Sequence, residues 1–443
     1  MTAESFLAKA SAWRLLAQKV DFATQPVSAM IEIADRCNEN CVHCYQIQGQ
    51  KGEMSTEEIF GILEELASMG VLFLTISGGE PTLRHDFLEI VEKARELQFA
   101  VKVYSNGLRV NQAMAESLAG LAVQEFQTSL YSHRAEVHDW VTRVPGSFDK
   151  TVDAVRYLIA NGVKVVMKSP LMSFNVQEYE DYIAFVTGLG ADYQFDSEIN
   201  PREGGERDPT SLRISAGERT ALRKDPRVIP DGTQKPAAPP LAAPPCGACK
   251  GNVHIEANGE LRPCTLLEVK VGDALDPAGL AKAFHEDPTA QGIRSLSWGD
   301  HHGCRDCDLR AYCQRCFANA RKESGDALGP YASACARARS KYEAVHGSVE
   351  VQARAGEGEQ EPSATMGPYR ELSIGRLQAI SDTLSERDEE LRQRFAWVQS
   401  TPKAAPPEVS ARPGQLVQLR RPGRKQRGPE LIPAQRKEEQ SRR

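Results

Sequence analysis

The chain has 443 residues, 41% hydrophobic and 26% charged, with a formal net charge of −6. Such a length exceeds one ordinary domain, and the apolar content suffices for a sizeable core. The mild charge argues against nucleic-acid binding, and no stretch approaches ~18 apolar residues, so no membrane span is expected. Residues 1–22 lack the basic start, apolar run and small-residue cleavage site of a signal peptide, which makes the cytoplasm the expected compartment.

From 30 to 196, short apolar runs alternate with amphipathic stretches. The runs at 30–34, 71–77, 99–105, 123–130, 163–169 and 192–196 read as strands. The stretch 55–70 reads as a helix: Ser55 and Glu58 form a capping box and Gly70 stands where a helix ends. Residues 85–98, 146–162 and 175–190 carry the same helical spacing. Six β-then-α units imply parallel strands joined by right-handed crossovers. A closed or partly closed barrel and an open doubly wound sheet both fit, and either places function at the C-terminal ends of the strands.

The rhythm is lost over 201–245, where 236–245 is a proline-rich extended connector. Residues 246–345 combine eight cysteines with many turn residues, as in a small domain built on metal. From about 350 the composition is that of a disordered segment, with a helix expected near 371–398. Residues 401–443 hold 11 Lys/Arg against 4 Asp/Glu, a net of +7 that leaves −13 on the rest. This basic tail reads as a solvated extension, or as an arm that docks on an acidic partner.

Eleven cysteines in a reducing compartment are not expected to form disulfides. They are also clustered: Cys37, Cys41 and Cys44, spaced C-x3-C-x2-C, follow the first strand, and the other eight lie between 246 and 335. Thiolates suit soft metals and iron–sulfur clusters. A four-iron cluster held by three cysteines leaves one iron open to a substrate or cofactor. A zinc finger completed by His43 or a distant residue is the alternative, but His43 lies between Cys41 and Cys44 and would not easily join both in one chelate. At the end of the second strand, "GGEPTL" offers two glycines for close backbone approach and a carboxylate, Glu80, that can accept from an ammonium group. Cys246, Cys249, Cys264, Cys304, Cys307, Cys313, Cys316 and Cys335 suffice for two fully ligated iron–sulfur clusters or two four-cysteine zinc sites, and spacing alone does not separate these. Gly259 reads as the turn glycine between Cys249 and Cys264.

With C-x3-C-x2-C one strand before GGEP, residues 24–200 closely resemble the radical SAM superfamily. The resemblance implies a partial (β/α)6 barrel over 24–238. Cys37, Cys41 and Cys44 would bind a [4Fe–4S] cluster whose open iron takes S-adenosylmethionine (SAM). Gly78, Gly79, Glu80 and Pro81 would hold the methionine amino group, and Tyr45 would pack on the adenine. Ser105, Asn106 and Ser129 would face the ribose or methionine, and Lys168 the carboxylate. Reductive cleavage of SAM would then give a 5′-deoxyadenosyl radical that takes a substrate hydrogen.

Residues 239–345 resemble the SPASM domain, which normally carries two auxiliary [4Fe–4S] clusters. Its pattern implies Cys246, Cys249, Cys264 and Cys316 for the first and Cys304, Cys307, Cys313 and Cys335 for the second. One departure stands out. Two residues separate Cys313 from Cys316, where the family usually has three.

The resemblance points to a maturase that oxidises a peptide or protein side chain, helped by an electron donor such as flavodoxin or ferredoxin. Leader recognition is expected to need a separate leader-peptide-binding protein or the basic tail, because no winged helix fits before the first strand. A small-cofactor or haem-pathway enzyme is the alternative, and a non-catalytic metal-bound scaffold is the alternative of another class. Sulfatase-type maturases place an acid after the third auxiliary cysteine, whereas Thr265 stands here. Asp196, Glu198 and Glu203 remain as acids that could serve as a base or simply sit on the surface.

Overall fold

A computed structural model describes residues 25–347. The basic tail and the helix expected near 371–398 lie outside them. Six strands follow one another as expected: β1 (Ser28–Ala34), β2 (Phe73–Gly78), β3 (Ala100–Ser105), β4 (Glu125–Ser129), β5 (Val165–Pro170) and β6 (Asp192–Asp196). Each pairs in parallel with the next. The connecting helices are α1 (Thr56–Ser68), α2 (Phe87–Glu96), α3 (Gln112–Gly120), α4 (Ala135–Thr142), α5 (Ser147–Ala160) and α6 (Tyr179–Gly188). The capping box of α1 forms as read, with Ser55 accepting from the Glu58 amide and Glu58 reaching back. β6 has a strand neighbour on one side only, so the barrel stays open there.

Strand alternation decides what this sheet can do. Parallel strands covered on both faces are normally apolar on both. Here one face is apolar and packs on the helices: Ile31 and Ile33, Leu74 and Ile76, Val101 and Val103, Met167, all fully buried. The other face carries Glu32, Thr75, Ser77, Lys102, Tyr104, Gln127, Ser129 and Lys168. A polar concave face inside a parallel barrel suits a ligand-binding lumen rather than a filled core.

The cysteine-rich segment joins the same sheet. β7 (Asn252–Ile255) pairs in parallel with β1, Met30 against His254, and β8 (Leu261–Arg262) returns antiparallel to β7. The turn between them needs its glycine: Gly259 has φ +87°, and a Cβ there would fall 2.9 Å from the Leu275 side chain. Helices α7 (Ala216–Lys224), α8 (Leu280–Glu286), α9 (Pro288–Ser295), α10 (Phe317–Ser324) and α11 (Ala332–His346) complete the described chain. A single apolar cluster runs from the barrel helices through Val253, Leu261, Phe284 and Ile293 to Phe317. Among the described residues no helix is long and apolar enough to cross a membrane.

Candidate active site and thiol clusters

β1 delivers its C-terminal end straight into the cysteine loop, and β2 supports that loop from the side. Gly79 N donates to Ala34 O at 2.7 Å and Glu80 N to Arg36 O at 2.9 Å. A Cβ on Gly78 would lie 2.3 Å from Ala34 O, and one on Gly79 would lie 2.5 Å from Arg36 O. The close approach expected of the two glycines is thus, first of all, to the chain itself. It sets the GGEP turn against the residues that lead into Cys37.

Glu80 is fully buried. Its carboxylate accepts from Thr82 N (3.0 Å), Thr82 Oγ1 (2.5 Å), Ser105 Oγ (2.8 Å) and Asn106 N (2.7 Å). Burial pushes its pKa up while these bonds pull it down, and burial wins. Asn106 in turn donates to Asn38 Oδ1 at 2.7 Å and lies 3.9 Å from Cys37 Sγ. Four of the sequence-derived candidates, Cys37, Glu80, Ser105 and Asn106, therefore meet at one point. Pro81 opens a short 3-10 turn, Pro81–Leu83, beside them. Ser129 hydrogen-bonds Tyr131, whose hydroxyl lies 3.6 Å from Cys41 Sγ. Lys168 stands apart on β5, its Nζ 3.8 Å from the centre of the Tyr104 ring, and burial lowers its pKa to about 8.

Cys37, Cys41 and Cys44 form one electrostatic group. Burial pushes Cys37 up to about 12 and raises the other two; Cys44 adds to the shift of both Cys37 and Cys41. Glu39 N and Asn106 Nδ2 point at Cys37, the Tyr131 hydroxyl at Cys41 and Gln48 Nε2 at Cys44. Soft thiols that are costly to ionise alone, each with a hydrogen-bond donor, fit a bound iron–sulfur cluster. Among the described residues no three His, Cys, Asp or Glu side chains gather around a single-ion position.

The other eight thiols sort into two groups by the same measure. Burial raises Cys246, Cys249, Cys304 and Cys313 most; after it, Cys246 is raised by Cys264 and Cys316, and Cys249 by Cys264 and Cys246. Cys304 is raised by Cys335 and Cys307, and Cys313 by Cys304 and Cys335.

Between the cysteine loop and the first of these groups lies a buried charge network that sequence reading missed. Lys51 pairs with Glu203 (2.8 Å) and Glu256 (3.1 Å); Arg262 pairs with Glu256 (2.7 Å) and Glu203 (3.1 Å). Glu203 also accepts from Ile47 N at 2.9 Å, and its own amide donates to Tyr45 O at 2.7 Å. The loop after the cysteines is thereby clamped to the β7–β8 hairpin. Tyr45, expected against adenine, is placed with its hydroxyl on Thr265, the residue after Cys264. Of the three acids considered as bases, Asp196 is exposed and Glu198 pairs with Arg213 and Arg337. Glu203 is buried, at 6% exposure, so it is no surface charge.

Glu32 borders this network, accepting from Gln46 Nε2 at 2.9 Å with His254 Nε2 at 3.7 Å. Burial, then the Glu256 carboxylate, push its pKa from 4.5 to about 7. The folded state therefore keeps a proton that the unfolded chain has lost, and stability falls as pH rises through that window, by ~3 kcal/mol. Glu32→Gln should remove that slope. Denaturant midpoints of both proteins at pH 5 and pH 8 check it; equal slopes would refute the assignment.

Comparison with known proteins gives these geometries a context. Residues 31–186 match the Radical SAM superfamily. The chain is 34% identical over 212 residues to the mycofactocin maturase MftC of Mycobacterium ulcerans (strain Agy99), covering 47% of this chain and 57% of that protein. It is 29% identical over 163 residues to the AdoMet-dependent heme synthase of Methanosarcina barkeri (strain Fusaro / DSM 804), covering 36% and 47%. The chain thus spans about half the length of these curated relatives. The crystal structure of Streptococcus suis SuiB bound to precursor peptide SuiA superposes with a TM-score of 0.57 at 19% identity, covering 70% of this chain and 76% of that one. That likeness is one of fold, and it extends past the six-stranded barrel.

Proposed function

We propose that this chain, whose residues 31–186 match the Radical SAM superfamily, is a radical SAM enzyme that oxidatively modifies a peptide or protein side chain. The observation that carries the reading is the join between two thiol regions. The loop of Cys37, Cys41 and Cys44 and the segment of Cys246–Cys264 share one sheet, with Tyr45 reaching Thr265 across the lumen edge. When bound, a [4Fe–4S] cluster on the three-cysteine loop supplies the electron that cleaves SAM to a 5′-deoxyadenosyl radical.

The chain's own residues do the holding and the shielding. Cys37, Cys41 and Cys44 would hold that cluster, and the thiols of 246–335 two auxiliary ones. The backbone of Gly78, Gly79 and Pro81 would meet the methionine amino group, with Glu80 fixing Ser105 and Asn106 beside it. Ser129 and Lys168, further round the lumen, would take the ribose and the carboxylate. The buried Lys51–Glu203–Glu256–Arg262 network ties that loop to the β7–β8 hairpin. An auxiliary centre on the segment that joins the sheet beside β1 would suit removal of one electron from a substrate radical, so the net change would be an oxidation. The mycofactocin maturase and the SuiB–precursor-peptide complex support a peptide as substrate. An electron donor such as flavodoxin or ferredoxin, a separate leader-peptide-binding protein and a cytoplasmic location belong to the same reading.

The test is anaerobic incubation with a small peptide encoded beside this chain, SAM and a reductant. A peptide about two mass units lighter, with deoxyadenosine formed in equal amount, is the expected product. Turnover confined to a porphyrin would overturn the peptide reading and favour the haem-type alternative. Failure to form deoxyadenosine under any of these conditions would favour a scaffold.

A further inference from the structure

Making a peptide two mass units lighter removes three things from it: a hydrogen atom, an electron and a proton. The deoxyadenosyl radical takes the first and an auxiliary centre suits the second, which leaves the proton without an acceptor. The order of the sheet points to one. β1 lies between β2, which ends in the GGEP turn, and β7, which opens the hairpin between Cys249 and Cys264. Ile31 and Ile33 of β1 pack on the helices, so Glu32 between them faces the lumen, level with Ser77, the residue before Gly78. An acid there stands between the expected SAM site and the first auxiliary thiols. The other buried acids nearby are committed. Glu203 and Glu256 each pair with Lys51 and Arg262, and Glu125 pairs with Lys102 and Lys164. Glu80 holds four donors, and Glu39 accepts from Cys41 Sγ at 3.3 Å. Glu32 has no Lys or Arg at ion-pair distance among the described residues. It takes one hydrogen bond there, on Oε1 from Gln46. His254 beside it is 2% exposed, with no hydrogen bond on either ring nitrogen among the described residues. Burial first, then Arg262 and Lys51, hold that imidazole at about 3, so it is neutral. Glu256 and Glu203 act against ionisation of Glu32 and Lys51 and Arg262 for it, with the Tyr45 hydroxyl also within its field.

We propose that Glu32 is the catalytic base that takes the substrate's proton, so that hydrogen abstraction ends in an oxidised peptide and not in a returned hydrogen. The inference rests on the peptide reading above and adds to it the residue that completes the oxidation. The balance closes. One substrate C–H bond gives its hydrogen atom to the 5′-deoxyadenosyl radical, and a second X–H bond gives its proton to the Glu32 carboxylate. The remaining electron passes to an auxiliary centre, and a new bond joins the two substrate atoms. A base works best when its own pKa lies near the working pH. Burial and the Glu256 carboxylate bring Glu32 to about 7, where it can both accept the proton and release it afterwards. Its paired neighbours, each ionised against a cation, are poorer bases.

The experiment compares the reconstituted full chain with its Glu32→Gln and Glu32→Asp variants, with iron content and SAM binding measured in each. Glu32→Gln keeps an oxygen for Gln46, so both should match wild type. Its yield of lighter peptide per deoxyadenosine should fall at least ~tenfold. The wild-type yield should rise with pH through about 7, as the carboxyl ionises. Glu32→Asp should keep a rise at lower yield, and Glu32→Gln should be flat. A second readout needs no turnover. Dicyclohexylcarbodiimide, which adds to protonated carboxyls in apolar surroundings, should label Glu32 below about pH 7 and not above it. Bound peptide should block that label, as located by mass mapping. A Glu32→Gln protein with the wild-type yield and pH profile overturns the proposal. So does a Glu32 that stays unlabelled at low pH, or labels equally with peptide bound, whatever the variants do to iron. A wild-type chain that modifies no peptide overturns the peptide reading instead.

Discussion

Replacing Cys37, Cys41 and Cys44 together by Ala should reduce deoxyadenosine formation to background while leaving the rest of the protein folded and metallated. The wild-type chain, reconstituted anaerobically, should hold about twelve irons and the variant about eight, from four-iron clusters on each thiol group. The reasoning is local. After burial, Cys44 adds to the shifts of Cys37 and Cys41, and no cysteine of 246–335 is among the leading causes that shift the three. The loop is also held by contacts that do not need the sulfurs: Asn40 N to Thr142 O at 3.1 Å, Val42 N to Val141 O at 3.0 Å and Lys51 N to Asp35 Oδ2 at 2.6 Å. Truncating three side chains leaves all of these in place. Iron analysis and chromatographic assay of deoxyadenosine check the two halves separately. Loss of all iron would refute independent sites; residual deoxyadenosine at wild-type rate would refute the assignment of the loop.

What the sequence made legible is what local chemistry controls. Six strands were readable because each is a short apolar run bounded by turn residues, and the cysteine loop because three thiols at that spacing have few other uses. β7 was not readable. "NVHI" is four residues long, and it is a strand because Asn252–Ile255 finds the free edge of β1 more than 200 positions earlier. α7 fell in a region that had lost its rhythm, yet its signal was present: Ser215 and Glu218 form the same capping box that announced α1. The buried network could not be found this way at all. Lys51, Glu203, Glu256 and Arg262 come from separate segments, and each alone looks like a solvated charge. Only the fold removes them from water and makes their mutual pairing obligatory. Arg315 is the same case in miniature, a buried arginine between two cysteines whose guanidinium is held by three carbonyls a dozen residues away.

Glu80→Ala should be the most damaging single substitution in the lumen that spares every thiol. Four donor groups converge on that carboxylate, and Glu80, Thr82, Ser105 and Asn106 are all 9% exposed or less. Removing the acceptor leaves buried N–H and O–H groups unpaired, at ~1–3 kcal/mol each, so a loss of several kcal/mol is expected. The Ser105–Asn106 turn would be released, and with it the bond from Asn106 to Asn38 that braces the residue after Cys37. Stability and SAM binding should therefore fall together, read from denaturant midpoints and from equilibrium binding of labelled SAM. Glu80→Gln separates the contributions. It keeps one acceptor oxygen but turns an NH2 towards a backbone N–H, so it should lose part of the stability and retain the shape of the turn. A Glu80→Ala protein with the wild-type midpoint would show that the carboxylate is not the latch of this site; a lowered midpoint with unchanged SAM affinity would show that the latch does not serve the ligand.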